Sequence, residues 1–318
     1  MNLLILRLLA GRVVLALFSL LVVSAIVFAI TAVLPGDAAE AQLGQEATPE
    51  SLAALRHQMG LDVPAPLRFW RWLSGLVAGQ PGTSIVSGAP VADMIASRLP
   101  NSLLLAGITA AISVPVALIL GIASAMWRRS WFDRIVSSGA VAVVSVPEFL
   151  VATLAVLVFA VQLHWLPALS SATSIESVGQ MLRMFAMPVL TLCCVTVAQM
   201  LRMTRAAVVD QLKAPYIEMV QLKGASPTRM VLAHALPNAI GPIANAVALS
   251  LSYLLGGVII VETIFNYPGI ASLMVDGVSQ RDMPLVQTCA MLFCAVYLLL
   301  VTLADLCSIV ANPRLRHR

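Results

Sequence analysis

Charged side chains are scarce in this sequence. Asp, Glu, Lys and Arg make up only 11 % of the 318 residues, whereas soluble domains average about 25 %. Apolar residues make up 60 %, and the mean hydropathy is +0.94. This composition excludes an ordinary soluble domain and predicts a polytopic membrane protein.

Lysine is almost absent, and this bears on nucleotide chemistry. A chain that hydrolyses ATP itself needs a phosphate cradle such as G-x-x-x-x-G-K-[ST], in which glycine N–H groups and the lysine hold the phosphates. The only two lysines, Lys213 and Lys223, each follow a leucine. The sequence therefore predicts that any ATP hydrolysis that drives this protein takes place in other subunits.

Other sites are also missing from the sequence. It has no G-x-S-x-G motif, which is typical of a serine hydrolase, and no motif for nucleic acid. The cysteines lie in apolar runs without metal-ligand spacing, which predicts packing residues and no metal site. They are Cys193, Cys194, Cys289, Cys294 and Cys307.

Six apolar runs predict six transmembrane helices, since about 20 residues at 1.5 Å each cross a hydrocarbon layer of roughly 30 Å. The predicted spans are 13–33, 99–127, 135–162, 184–201, 238–261 and 284–310. Prolines lie within or at the edges of the spans, at 115, 147, 188 and 242. Neighbouring helices and water can satisfy the backbone groups that such prolines leave free.

Lysine and arginine are distributed unevenly between the connecting segments. Thirteen lie in 1–12, 128–134, 202–237 and 311–318, and six lie in 34–98, 163–183 and 262–283. Cytoplasmic segments of membrane proteins carry the excess of positive charge. We therefore expect the first group, with both termini, to be cytoplasmic and the second group to be periplasmic.

The long segment after the first span has its own helical pattern. Thr48 and Pro49 are typical of a helix start, and Gly60 is expected to end this short amphipathic helix. Further on, Leu67, Trp70, Leu73 and Val77 recur at helical spacing, which predicts a helix that rests on the membrane interface. The sequence thus predicts a periplasmic helical insertion between the first and second spans.

Three acids fall in or near the apolar spans: Glu148, Glu262 and Asp305. An acid at such depth normally faces a bundle interior or a water-filled path. Each is therefore a candidate pathway-lining residue. The alternative is that these carboxylates are helix-end groups satisfied by hydrogen bonds or by a partner subunit.

One polar stretch, residues 216–237, interrupts the apolar runs. We predict a helix over 206–222, with Val209, Leu212, Tyr216, Val220 and Leu222 facing other helices. Gly224 should end this helix in the left-handed conformation, and Ser226 and Pro227 should be the N-cap and first residue of a second helix. His234, Leu236 and Pro237 should close that second helix.

The spacing within this stretch is specific. Glu218 is followed after six residues by Gly224, after ten more by His234, and then by Leu236-Pro237. This pattern resembles the EAA loop of binding-protein-dependent ABC importer permeases. The two alanines of that motif are Met219 and Val220 here.

Other stretches resemble the same family, in particular the B-type permease subunit of dipeptide and oligopeptide (peptide/nickel) importers. They are Leu34-Pro-Gly-Asp37, Glu262-Thr-Ile-Phe-Asn-Tyr-Pro-Gly269, Gln280-Arg-Asp-Met-Pro284 and Asn312-Pro-Arg-Leu-Arg316. The last usually reads Asp-Pro-Arg in the family, so Asn312 is a departure. The resemblance thus runs nearly from end to end.

The resemblance implies an all-α integral membrane protein with the type I ABC importer permease (MetI-like) fold. It implies a non-enzymatic translocation subunit that imports dipeptides or oligopeptides, or alternatively nickel, glutathione or another small solute. The implied partners are a homologous C-type permease, two ATP-binding subunits that hold ATP and Mg, an external substrate-binding protein and membrane lipid, with no nucleic acid. The residues implied to couple to the ATPase subunits are Tyr216, Glu218, Met219, Val220, Lys223, Gly224, Ala225, Ser226, Pro227, His234 and Pro237.

Two functions of other classes remain open at this point. An ion-coupled secondary transporter would show internal repeats with broken helices at matching positions, and uptake without ATPase subunits would favour it. An intramembrane hydrolase would need a serine near His164 or His234, and loss of activity on replacing such serines would favour it.

Overall fold

The computed structural model of the chain describes residues 3–33, 38–43, 48–58, 62–170 and 177–311. These residues are mostly helical, and the extended pairing among them is one isolated bridge between Thr83 and Pro90. The described residues therefore confirm the predicted all-α class.

The helices follow one another in a simple order. The α-helices are α1 (Leu3–Val33), α2 (Ala38–Leu43), α3 (Pro49–Gln58), α4 (Ala65–Val77), α5 (Val91–Met126), α6 (Trp131–Val144), α7 (Glu148–Ala155), α8 (Val178–Leu212), α9 (Pro215–Leu222), α10 (Pro227–Arg229), α11 (Leu236–Ile264), α12 (Ile270–Ser279) and α13 (Met283–Ala311). Two π-helices are inserted among them, π1 (Val156–Gln162) and π2 (Met230–Ala235).

Five helical stretches in the described part of the chain are long and apolar enough to cross a membrane. They are Ala10–Thr31, Val91–Met126, Gly179–Leu212, Pro227–Ile264 and Met283–Cys307. A sixth candidate is the pair Trp131–Val144 and Glu148–Gln162, whose axes differ by 97°. Five spans, or six with the bent pair, agree with the predicted number.

The bend in the sixth candidate follows from Pro147. This residue is the N-cap of α7, with φ −58° and ψ 139°. Proline disfavours helical geometry in the residue before it and donates no N–H. The predicted span 135–162 is therefore two helices that meet at an angle. By contrast, Pro188 and Pro242 lie inside α8 and α11, which remain continuous.

The helices extend beyond several predicted spans. α5 begins at Val91 rather than at 99, and α8 covers Val178–Leu212 rather than 184–201. Helical hydrogen bonding continues through polar turns next to an apolar run, whereas hydropathy marks only the apolar part. The boundaries between membrane and solvent stay predictions.

The described residues form two compact units. The first contains Met1–Val13, Leu104–Tyr267 and Tyr297–Arg318, and the second contains Val14–Leu103 and Pro268–Val296, each as far as its residues are described.

The core of the first unit is built mainly from α5, α8 and α11. One buried cluster contains Ala125, Val208, Val209, Val231, Ala239 and Ile243. A second cluster joins α5, α6 and α8 through Ala117, Ala140, Ala198, Met200 and Leu201. The alanines in both clusters are small and let the helix backbones approach closely.

The core of the second unit joins α5, α12 and α13 through Val91, Ile270, Leu273, Leu285 and Cys289. The insertion after α1 contributes to the same unit. Thr48 accepts a hydrogen bond from the Ser51 N–H at 3.2 Å, which confirms the predicted start of α3. The predicted second helix is α4. The short helix α2 was not predicted, and Gly60, expected to end α3, lies outside the described residues.

Candidate functional site

The 216–237 segment follows a break in the chain that the sequence prediction missed. Instead of one helix over 206–222, α8 ends at Leu212 and α9 begins at Pro215. Ala214 between them is extended, with φ −73° and ψ 144°. The reason is Pro215, which disfavours helical geometry in the preceding residue but is well suited to the first turn of a new helix.

This break changes which residues of α9 are buried. Ile217 is 4 % exposed and is the buried residue of the helix. Leu222, predicted to face other helices, is 82 % exposed, and Tyr216 is 38 % exposed. Because α9 starts afresh at Pro215, its helical phase is independent of α8. The predicted apolar face was therefore wrong at Leu222.

α9 ends at Leu222, and Gly224 follows two residues later in the left-handed conformation that was predicted for it. The glycine has φ +78° and donates its N–H to the Gln221 carbonyl at 2.9 Å, and the Ala225 N–H points to the Val220 carbonyl at 3.4 Å. This pair of bonds is a Schellman motif, whose left-handed position favours glycine. The turn direction is thus fixed by the backbone.

The second helix begins as predicted but does not end where predicted. Ser226 is the N-cap, its Oγ accepting from the Arg229 N–H at 3.4 Å, and Pro227 is the first residue. The helix then continues through π2 into α11, so that Pro227–Ile264 is one continuous helical stretch. His234 and Pro237 therefore lie inside it and do not close it. The wider π turn precedes Pro237, which has no N–H for a regular helical hydrogen bond.

The carbonyl of His234, in π2, is held by side chains. The Asn238 side-chain amide donates to this oxygen at 2.9 Å, and the Tyr216 hydroxyl lies 3.5 Å from it. The same hydroxyl lies 3.2 Å from Gln211 Oε1 at the end of α8. Tyr216 thus links α8, α9 and π2 into one body.

The segment rests on the first buried cluster described above. Val231 of π2 and Val208 of α8 are buried there together, with Leu212 and Leu236 packed against them. One side of the segment packs against this core, and the other side is exposed.

The predicted coupling residues divide by exposure. The exposed ones are Tyr216, Glu218, Met219, Lys223, Gly224, Ser226, Pro227 and Pro237. Val220, Ala225 and His234 are half-buried. The segment thus presents a mixed surface, with an apolar part at Met219 and Leu222 beside the charges of Glu218 and Lys223. Their role in coupling stays a prediction.

An ion pair between a buried carboxylate and a half-buried guanidinium lies near the same end of α8, and sequence reasoning missed it. The Asp133 carboxylate, 4 % exposed, accepts two hydrogen bonds from Arg205, from Nε at 2.6 Å and from Nη2 at 2.8 Å. It also accepts from the Arg129 N–H at 2.9 Å and from the hydroxyls of Ser124 and Ser137. One carboxylate thereby ties together α5, α6 and α8.

The sequence contained one local sign of this site. Asp133 is the only acid between the second and third predicted spans. Its N–H donates to Ser130, the N-cap of α6, at 3.2 Å. In the sequence, Arg205 contributes only to the positive charge of segment 202–237, and nothing in the spacing identifies its partner 72 residues away.

The three candidate pathway-lining acids do not come together into one site. Glu148 is half-buried and lies against Gly257. If Gly257 carried a Cβ atom, that atom would lie 2.8 Å from Glu148 Cδ. Glu262 is fully buried. Asp305 pairs with Arg12 at 2.8 Å. These positions favour the alternative of satisfied helix-end groups for Asp305, and a lining role for each acid stays a prediction.

Beyond Glu262, the chain leaves α11 through a buried aromatic pair. The rings of Tyr267 and Phe185 lie 5.5 Å apart in an edge-to-face arrangement. Burial, with a smaller contribution from Glu262, raises the pKa of Tyr267 to about 12. The phenol is therefore neutral at physiological pH.

Comparison with known proteins gives the family of this chain. Residues 117–317 match the profile of the binding-protein-dependent transport system inner membrane component. Residues 5–106 match the profile of the N-terminal part of such membrane components.

Curated relatives match over nearly their whole length. The Glutathione transport system permease protein GsiC of Pectobacterium atrosepticum is 37 % identical over 300 residues, which cover 94 % of this chain and 95 % of the relative. Its counterparts in Salmonella paratyphi A and Escherichia coli K12 are 36 % and 37 % identical over the same shares.

The matches cover the 216–237 segment and both units. They agree with the helical membrane fold and with the motifs that suggested the family. This chain therefore belongs to the binding-protein-dependent transport system inner membrane components and is an ABC importer permease of the peptide/nickel family, with the MetI-like fold.

Proposed function

We propose that this permease forms the translocation pathway together with a homologous C-type permease, and that two separate ATP-binding subunits drive it through residues 216–237. The observation that carries the proposal is the construction of this segment. It has an internally hydrogen-bonded turn at Gly224, a buried base at Ile217 and Val231, and an exposed outer surface. Such a surface suits a docking partner.

Separate ATP-binding subunits are also supported by the sequence. The two lysines occur outside any phosphate cradle, so ATP and Mg are expected to bind to the partner subunits. A substrate-binding protein on the outer side is the further partner that the family name implies. In this arrangement the chain lies in the bacterial inner membrane with residues 216–237 and both termini in the cytoplasm, as the excess of positive charge predicts.

The mechanism we propose is that of a lever. Closure of the ATP-binding subunits would displace the 216–237 segment, and the continuous helix Pro227–Ile264 would carry the displacement into the membrane. On its other side, Tyr216 connects the segment to the end of α8. Coupling of this kind requires that the partner contact the segment differently in the inward-open and outward-open states.

Substitutions in the segment test the lever. Replacing Glu218 with lysine inverts an exposed charge, and replacing Gly224 with leucine forces a side chain into a backbone with φ +78°. We expect each variant to reach the membrane at the normal level and to lower substrate uptake about tenfold or more, because each alters a contact surface that must fit its partner. Uptake and co-purification of the ATP-binding subunits are the measurements.

Two matched controls separate the surface from general damage. Glu50→Lys changes the same charge at an exposed position of α3, and Gly88→Leu places leucine at another glycine with φ +70°. Both controls should retain uptake and assembly. Normal uptake and normal assembly in both Glu218→Lys and Gly224→Leu would show that the segment is not the coupling element.

For the substrate, we propose a small peptide. The relatives described above are named as glutathione permeases, and glutathione is itself a tripeptide. We expect the complete transporter, reconstituted in liposomes with its binding protein, to import labelled glutathione or a labelled dipeptide and to leave nickel ions outside. Import of nickel without import of either peptide would contradict this assignment.

A further inference from the structure

A cavity of about 370 Å³ lies within the second unit, apart from the 216–237 segment. It is enclosed by the end of α1, by α4, by the turn that follows α4 and by the start of α13. Its size falls at the lower end of the range of about 300–1,000 Å³ that is typical of small-molecule sites. The cavity can therefore hold a small solute or a headgroup.

One helix face supplies the cationic wall of this cavity. One face of α4 carries Arg68 and, three and four residues later, Arg71 and Trp72. All three residues line the cavity. The helix is fixed against α1 by Phe28, whose ring lies 5.3 Å from Phe69 and 6.4 Å from Trp72. This packing fixes the helix face that carries Arg68 and Arg71.

The opposite rim is also fixed. Asp282, just before α13, accepts hydrogen bonds from the Ser84 hydroxyl and from the Ile85 N–H, the latter at 3.2 Å. Gln287 of α13 donates to Thr31 of α1 at 2.6 Å. These contacts hold the turn, α13 and α1 around the cavity without any ligand.

Two of the cavity-lining residues carry a buried donor that has no hydrogen-bond partner in the described part of the chain. Arg68 Nε and Trp72 Nε1 are both buried, and neither has a hydrogen-bond partner among the described residues. The Trp72 side chain as a whole is only 8 % exposed. Both atoms can only donate, and leaving a buried donor unsatisfied is costly. An acceptor is the kind of partner that both atoms can take.

The charge around the cavity also favours a negatively charged ligand. Its described lining contains Arg68 and Arg71 but neither aspartate nor glutamate. Asp282, which directly precedes the lining residue Met283, is already engaged by Ser84 and Ile85. The start of α13, which has no acid in its first turn, adds the positive end of a helix dipole.

We infer that this cavity binds an oxyanion, the carboxylate or phosphate group of a small amphipathic molecule. Guanidinium groups match the planar, two-oxygen geometry of a carboxylate and also bind phosphate strongly. Phe28 and Ile85 offer an apolar wall for the rest of the molecule. The source is either the carboxylate of a soluble peptide or the phosphate of an anionic lipid.

Equilibrium dialysis against labelled glutathione tests the carboxylate source. The full chain is purified into nanodiscs of neutral phosphatidylcholine, and the diethyl ester of glutathione serves as a ligand without free carboxylates. We expect glutathione to bind and the ester to bind at least about tenfold more weakly. Arg68→Gln and Arg71→Gln should each raise Kd about tenfold, since a charge-assisted hydrogen bond is lost.

Native mass spectrometry tests the lipid source. In nanodiscs that contain phosphatidylglycerol, the wild-type chain should retain bound phosphatidylglycerol if the phosphate is the ligand, and Arg68→Gln and Arg71→Gln should lose it. Either result, with soluble carboxylate or with lipid, supports the oxyanion site and identifies its source.

Matched variants distinguish loss of the binding site from unfolding. Arg128→Gln removes the same charge at an exposed position and should bind as the wild type does. Because Arg71 is exposed, its replacement should not disturb folding. If Arg71→Gln has a normal unfolding midpoint and binds glutathione and phosphatidylglycerol as the wild type does, or if the wild type binds neither, the inference is overturned. This assay needs no ATP-binding subunit, so its result is independent of the lever.

Discussion

Replacing Arg205 with methionine is expected to destabilise the folded chain by about 3 kcal/mol, the lower end of the cost of leaving a buried charge without its partner, because the Arg205 side chain is itself 27 % exposed. The Asp133 carboxylate, which Arg205 holds through bonds of 2.6 and 2.8 Å, would remain buried. The hydroxyls of Ser124 and Ser137 and one backbone N–H would still donate to it, but both charge-assisted bonds from Arg205 would be lost. Unfolding is the route by which this carboxylate can regain water.

The measurement is the unfolding midpoint of the purified chain in detergent. We expect it to fall by at least about 5 °C in Arg205→Met. Arg202→Met is the matched control, because Arg202 lies on the same helix three residues earlier and is exposed. The control should change the midpoint little, since exposed charges contribute at most about 1 kcal/mol.

A double substitution separates the ion pair from its surroundings. Asp133→Asn combined with Arg205→Met removes both charges, so the double variant should be less destabilised than the sum of the two single variants. Strict additivity of the two single effects would show that Asp133 and Arg205 do not depend on each other. An unchanged midpoint in Arg205→Met would show that the pair contributes nothing to the fold.

Much of the 216–237 segment was predictable because its determinants are local. Glycine at a left-handed position and serine followed by proline at a helix start act through the backbone of adjacent residues. Gly224, Ser226 and Pro227 accordingly have the structural roles that the sequence indicated. The apolar spans were predictable for a similar reason, since hydropathy is summed over neighbours in the chain.

The errors in the same segment came from the phase of its helices. The predicted helix over 206–222 runs through Pro215, although this residue begins a new helix. The residues after it were therefore assigned to wrong faces, so Leu222 was expected to be buried and Ile217 was overlooked. The next helix was predicted to end at Pro237. It continues instead, because the wider π turn before Pro237 accommodates a residue without an N–H.

Contacts between distant parts of the chain could not be predicted. Asp133 and Arg205 are 72 residues apart, and Ser84 and Asp282 are 198 residues apart. Hydropathy and spacing carry no information about which helices pack together. The oxyanion cavity belongs to the same class, since its walls come from four separate stretches of sequence.

Close packing between α5 and α8 gives the other large expected effect, at Gly121. A Cβ at this position would lie 2.9 Å from the Leu201 carbonyl oxygen and 2.9 Å from Thr204 Cβ. A backbone carbonyl cannot rotate away as a long side chain can, and Thr204 is itself fully buried. Gly121→Val should therefore push the two helices apart and destabilise the chain by about 3 kcal/mol or more, the upper range for overpacking.

Gly107 provides the matched control on the same helix, because a Cβ there would meet no described atom within 4 Å. Helix propensity favours valine over glycine by a few tenths of a kcal/mol. Gly107→Val should therefore keep or slightly raise the unfolding midpoint in detergent. Gly121→Val should lower the same midpoint by at least about 5 °C. Even Gly121→Ala should lower the midpoint, although alanine stabilises an exposed helix position by about 1 kcal/mol over glycine. Equal midpoints for Gly121→Val and Gly107→Val would mean that α5 and α8 do not pack closely at Gly121.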